Sequence, residues 1–159
     1  MKVELKSIKG TWEDVVNRAR TTVHKDELGK EPSDNFKRKI LRAEHSPIRS
    51  LSFNFKISNL KSWVATHFAR HHVGVEKWIR TQRSDRTGVN RDELPQGAEV
   101  EMEIEANAQA LINMSRKRLC NQASPETREV MEAMKEEVSK RDKFVAEVMV
   151  KECVYRGFC

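Results

Sequence analysis

EVEMEIEANAQALINMSRKR, residues 99–118, changes its period once, at Asn107. Before that point Glu99, Glu101, Glu103 and Glu105 alternate with Val100, Met102 and Ile104. A period of two is a strand with one acidic and one apolar face. From Asn107 to about Cys120 the spacing turns helical, and at 100° per residue positions 107, 111, 114 and 118 fall within about 60° of one another. They read Asn, Leu, Met and Arg. An apolar stripe that ends in a guanidinium is unusual, because a buried arginine needs an anionic or carbonyl partner. An internal glutamate partner, or a side chain that snorkels to the surface, would also satisfy Arg118.

Outward from this segment the chain keeps mixing strands and helices. Val3, Leu5 and Ile8 give a short opening strand, and Thr11 before Trp12-Glu13-Asp14 gives a variant capping box for a helix to about Val23. Lys25 to Pro32 is a polar loop, after which Ser33 or Asp34 caps a helix from Asn35 to about Ala43. In SLSFNFKI, residues 50–57, Leu51, Phe53, Phe55 and Ile57 share one face of a strand. Ser58 then reads as the N-cap of a helix to about His72, its stripe carrying Leu60, Trp63, Val64, His67 and His71. Val73 to Gln82 reads as extended, and Arg83 to Gly97, with Gly88, Asn90, Pro95 and Gly97, as a loop. Downstream, Ser124, Pro125 and Glu126 open a long helix to about Val150. Such an order, in a chain long enough for one core, gives an α+β fold in a single domain spanning residues 1–159.

Composition narrows the class. The chain is 38% hydrophobic and 34% charged, with no apolar run of membrane-spanning length. MKVELKSIKG lacks the apolar core of a secretion signal, and Cys120, Cys153 and Cys159 form no disulfide framework, so the expectation is a cytoplasmic protein. Residues 1–91 carry 20 Lys and Arg against 10 Asp and Glu, a net +10. Residues 92–159 carry 10 against 14, a net −4. A basic half draws anions: nucleotide phosphates, an acidic partner or a polynucleotide.

Residues 43–130 carry a more specific pattern. Arg91 is followed three residues on by Leu94-Pro95, then by the alternating strand, Asn107-Ala108, Asn113, Arg118-Leu119, Ala123 and Glu126. Upstream, His45-Ser46-Pro47 leads into the SLSFNFKI strand, Arg70-His71-His72 ends the next helix, and Thr81-Gln82-Arg83 follows. Taken together these segments resemble the flavin-dependent thymidylate synthases. That family has an Arg-His-Arg followed by Ser-x-Arg, and an Arg-x-x-Leu-Pro leading to a strand and an Asn-Ala-Arg helix.

The resemblance implies a mostly antiparallel sheet flanked by helices, and an enzyme that passes a one-carbon unit from methylenetetrahydrofolate to dUMP with reduction through FAD. NADPH would regenerate the flavin, and no cysteine nucleophile is needed. It implies cofactor-binding roles for Arg70, His71, His72, Asn107 and Asn113, with Ser50 where a flavin-contacting histidine is common. It implies dUMP binding by Thr81, Gln82, Arg83, Arg91 and Arg118, with Arg118 the catalytic residue that polarises the uracil ring. Guanidinium forks suit phosphates and pyrimidine carbonyls, and a fixed cation stabilises charge developing on the ring. Homotetrameric assembly, with active sites between subunits, follows from the same resemblance.

There are departures. His72 replaces the motif's second arginine, Gln109 the arginine of Asn-Ala-Arg, and Thr81 the serine of Ser-x-Arg. Ser84 to Asn90 stands for a longer helical segment. Two other outcomes stay open: a divergent homologue that binds nucleotide or nucleic acid without catalysis, and a uridylate-hydroxymethylating enzyme. The resemblance itself favours a small nucleotide over nucleic acid. A metal at His67 and His71 has the one-turn spacing but neither the zincin glutamate nor paired cysteines, so no metal site is expected.

Overall fold

A computed structural model of the chain describes residues 1–158. Four strands, β1 (Lys2–Lys9), β2 (Ser52–Lys61), β3 (Val75–Ile79) and β4 (Glu99–Asn107), form one antiparallel sheet in the order β1-β2-β4-β3. The alternation expected of β4 is present: Val100, Met102, Ile104 and Ala106 are buried, opposite Phe53, Phe55, Ile57 and Leu60 of β2. Each such side chain contributes about 1.5–3 kcal/mol on leaving water, which fixes the face that turns inward. The other face carries charge, with Glu101 near Lys56 and Arg80, and Glu105 holding Lys9 at 2.6 Å.

Helices cover the apolar face. α1 (Trp12–Thr21) starts at the expected capping box, with Thr11 Oγ1 accepting from the Asp14 amide and Asp14 accepting from the Thr11 amide. α2 (Asp34–Arg42) is capped by Ser33. α3 (Ser62–Ala69) buries Val64, Ala65 and Phe68, and a short α4 (Ser84–Thr87) lies in the segment read as loop. α5 (Ala108–Arg118), α6 (Pro125–Ser139), α7 (Lys143–Val148) and α8 (Glu152–Arg156) complete the chain. One continuous apolar cluster joins sheet and helices, and no helix among the described residues is long and apolar enough to cross a membrane.

Besides α4, the expected elements are corrected in two further places. Ser58 caps nothing: β2 runs on to Lys61, pairing Leu60 with Val100 and Lys61 with Glu99, and the register shift after Ile57 accommodates Asn59 at φ +55°. Helix α3 therefore starts at Ser62 and ends at Ala69. The last helix is two. α6 stops at Ser139, and buried Asp142 caps α7 by accepting from the amides of Phe144 and Val145, and from Trp12 Nε1 at 2.9 Å. Burial raises the Asp142 pKa, opposed by those three hydrogen bonds.

Candidate active site

Asn107 sits at the joint of β4 and α5, and its Oδ1 accepts from the Ala110 amide at 2.9 Å as the N-cap. Its carboxamide is packed against Gly74, at φ +70°, where an added Cβ would fall 2.4 Å from Asn107 Nδ2. Ser50 ends a 3-10 turn beside this joint, its hydroxyl donating to the Pro47 carbonyl at 2.5 Å, while the next residue, Leu51, accepts from the Ala108 amide.

Arg118 closes α5 about 16 Å further on. Its Nε donates to His71 Nε2 at 2.9 Å and its Nη2 to the His67 carbonyl at 2.6 Å. His71 bonds Arg118 at this end of α5, and Gly74 packs on Asn107 at the other. Lys77 Nζ donates to the His71 carbonyl at 2.7 Å and lies 3.3 Å from His72 Nδ1. His67 Nδ1 is 2.8 Å from the hydroxyl of Thr127, which is fully buried and 2.8 Å from the hydroxyl of Ser124, the N-cap of α6.

The cluster is cationic without a counterion. Among the described residues no carboxylate pairs with Arg118 or Arg70. Burial, followed by Arg118, Lys77 and His72, pushes the His71 pKa down to about 4. Burial also lowers His67, with Arg118 and Arg70 adding to it. Both imidazoles are therefore neutral at pH 7, and His71 accepts where a carboxylate would otherwise stand. Arg118 is itself lowered by burial and by Arg70. A half-buried guanidinium next to a second arginine, with no counterion among the described residues, has charge and donors that an anion would satisfy.

The remaining site residues lie elsewhere. Thr81, Gln82 and Arg91 line a hollow of about 620 Å³ with Trp63, Arg80 and Gln96. Thr81 and Gln82 also border an adjoining hollow of about 700 Å³ with Arg80 and Arg86. The first of these hollows follows α3 from Ser62, which donates to the Ala98 and Gln96 carbonyls, to Thr66, and includes neither His71 nor Arg118. Arg83 is turned away, gripped by Asp85 at 2.9 and 2.8 Å. Asn113 is exposed on the opposite face of α5, accepting from Gln109 at 3.3 Å. One chain thus brings His71 and Arg70 to Arg118, with His72 beside Lys77 and Asn107 at the far end of α5, sets Thr81, Gln82 and Arg91 apart from them, and leaves Arg83 and Asn113 outside both groups.

Lys77, Thr127 and the backbone carbonyl of His67 belong to the cluster and were not in the expected set. A buried threonine three residues after an N-cap serine carries a sequence signal only once the fold is known. The HxxxH spacing brings His67 and His71 to one place, but their rings bond Thr127 and Arg118, and no group of three His, Cys, Asp or Glu among the described residues could hold a metal.

Residues 88–142 match the model of a protein family described as thymidylate synthase complementing protein. No curated protein sequence matches the chain significantly. Among solved structures, a flavin-dependent thymidylate synthase (ThyX) from Helicobacter pylori, complexed with FAD and dUMP, superposes with a TM-score of 0.76 at 16% identity. That match covers 95% of this chain and 100% of the other. A second structure of Helicobacter pylori ThyX with FAD and dUMP gives a TM-score of 0.78 at 14% identity, over 95% and 100% of the two chains. A UMP/dUMP methylase, PolB, from Streptomyces cacaoi, bound with 5-Br dUMP, gives 0.74 at 16% identity, over 99% and 95%. The resemblance read from the sequence is borne out, and the fold is that of ThyX.

Proposed function

We propose that the chain is a dUMP-modifying enzyme that transfers a one-carbon unit from methylenetetrahydrofolate to the uracil ring in the manner of the flavin-dependent thymidylate synthases. The observation that carries this reading is Arg118: half-buried, held by a neutral imidazole and a carbonyl, and paired with no carboxylate among the described residues. Its unspent donors suit the uracil carbonyls, where a fixed positive charge stabilises the ring as electron density builds on it.

FAD fits the donor set around α5. Arg70, His72 and Lys77 give a run of cations and donors for a pyrophosphate, beside the Asn107 carboxamide. Bound flavin supplies the reducing hydride, with NADPH as the source of electrons, while the protein's part is to orient and polarise. Arg70, His72, Asn107 and Asn113 hold the cofactor, with Ser50 at its margin, while the His71 ring, placed with them by the family likeness, is committed to Arg118. Thr81, Gln82, Arg83 and Arg91 take the nucleotide phosphate and sugar.

Because the two groups line different surfaces of one chain, in this reading they come together between neighbouring chains. We read the active form as a cytoplasmic homotetramer with its sites between subunits. Asn113 and Arg83, which face away from both groups in their own chain, then reach a neighbour's ligands. Likeness to a UMP/dUMP methylase favours one second reading, in which uridylate carrying a ribose is also a substrate. Release of tritium from dUMP labelled at uracil carbon 5, with FAD, NADPH and methylenetetrahydrofolate, tests the reaction. Release above a no-folate control is expected. A protein that binds dUMP yet releases none under these conditions is a binding protein and not a synthase.

A further inference from the structure

We propose that His71 acts on the nucleotide through Arg118, as the positioning residue that holds the guanidinium by accepting from it, and does not serve chiefly as a flavin contact. This rests on the reading of Arg118 as a uridylate-binding group.

The geometry assigns the imidazole's two nitrogens. Nε2 accepts from Arg118 Nε at 2.9 Å, so its lone pair is committed and the ring proton resides on Nδ1. The ring is in turn anchored through its own backbone, whose carbonyl accepts from Lys77 Nζ at 2.7 Å. Arg118 is gripped a second time through the His67 carbonyl, and His67 is tied to the start of α6 through Thr127. Of the five N–H donors of a guanidinium, two are spent on the protein, Nε–H and one on Nη2, which leaves three for a ligand.

The choice of acceptor matters. A carboxylate in the place of His71 would fix Arg118 as firmly, but it would neutralise the charge and compete with the incoming uracil carbonyl and phosphate. Arg116, two residues earlier, has such a carboxylate in Glu44 and is closed to ligands. A neutral imidazole gives orientation without neutralisation. The groups facing the ring, Arg118 from α5, Lys77 from β3 and adjacent His72, all disfavour an imidazolium, so the acceptor form persists across the neutral range.

The test separates orientation from cofactor contact. FAD affinity is measured by flavin fluorescence and dUMP affinity by calorimetry at saturating FAD, for the wild type, His71→Ala and His71→Gln. We expect His71→Ala to weaken dUMP at least tenfold while FAD changes less than twofold. Gln, whose Oε1 can accept from Arg118 Nε, should recover most of the loss. FAD weakened as much as dUMP, or a well-folded Gln variant no better than Ala, overturns the assignment. Nitrogen-15 NMR of the ring needs no ligand: an Nδ1–H tautomer is expected, and an Nε2–H tautomer overturns the proposal even if the variants misfold. Wild-type protein that binds neither FAD nor dUMP, yet shows the Nδ1–H tautomer, sinks the functional reading and leaves the His71–Arg118 contact standing.

Discussion

Arg116 and Arg118 leave the same helical turn of α5 into opposite surroundings. On one face, Arg116 meets Glu44 in an ion pair whose side chains are 14% and 21% exposed, and lies 3.5 Å above the Tyr155 ring of α8. Gln109 bonds the same carboxylate at 2.5 Å. On the other face, Arg118 has only an imidazole and a carbonyl. Burial, the largest single influence, pushes the Glu44 pKa up, but Arg116, Gln109 and Tyr155 together outweigh it and hold it below the usual carboxylate value. The first arginine is a brace that fastens the C-terminal helix to the turn after α2. The second is left charged and incompletely bonded, and the fold spends His67, His71, Thr127 and Lys77 on keeping it in place. Charge and helix are shared, so the difference lies in the partner: a carboxylate closes Arg116, and a neutral imidazole leaves Arg118 with donors for the proposed ligand.

That contrast can be broken from either side. The largest effect is expected at the open face. Arg118→Ala removes charged hydrogen bonds worth about 3 kcal/mol, or on the order of a 100-fold loss of dUMP affinity. Its melting temperature should stay within about 2 °C of wild type, since no buried counterion is orphaned. Equal affinity for dUMP in this variant would remove the distinction. The smaller effect is at the brace. Glu44→Ala strands a mostly buried guanidinium at a cost of about 2 kcal/mol, less than for a fully buried pair. Thermal unfolding should then fall by roughly 4–8 °C while dUMP affinity at saturating FAD is unchanged. A drop in nucleotide affinity with intact stability would mean that the two faces are coupled.

Much of this was legible in the sequence, for identifiable reasons. The β4 alternation and the Thr11–Asp14 box are local signals, and local signals survive folding. The oddity of Arg118 on an apolar stripe was also visible, because a period of 3.6 fixes which residues share a face. Ser58 misled because sheet pairing overrode a good capping residue: Leu60 and Lys61 gain ladder partners in β4, and α3 starts with no side-chain cap at all. Asp142 was lost inside an apparently continuous helix, where only its contact with Trp12, 130 residues away, shows why α7 begins there. At the site, His71 bonds Arg118 and Arg70 lies near enough to lower its pKa, while His72 faces Lys77. The separation of Thr81, Gln82 and Arg91 from them, and the turning away of Arg83 and Asn113, depend on how α3 and α5 are oriented, which no spacing in the sequence encodes.

The central claim is that cations on α5, α3 and the segment after β3 serve one flavin and one uridylate together. Titrating dUMP into protein saturated with FAD, while following the visible flavin band, tests it directly. The account predicts a yellow protein whose flavin spectrum shifts saturably with dUMP, and a bound flavin that no longer responds to dUMP once Arg118 is alanine. A protein that stays colourless in excess FAD, or whose flavin is blind to dUMP in the wild type, would contradict it.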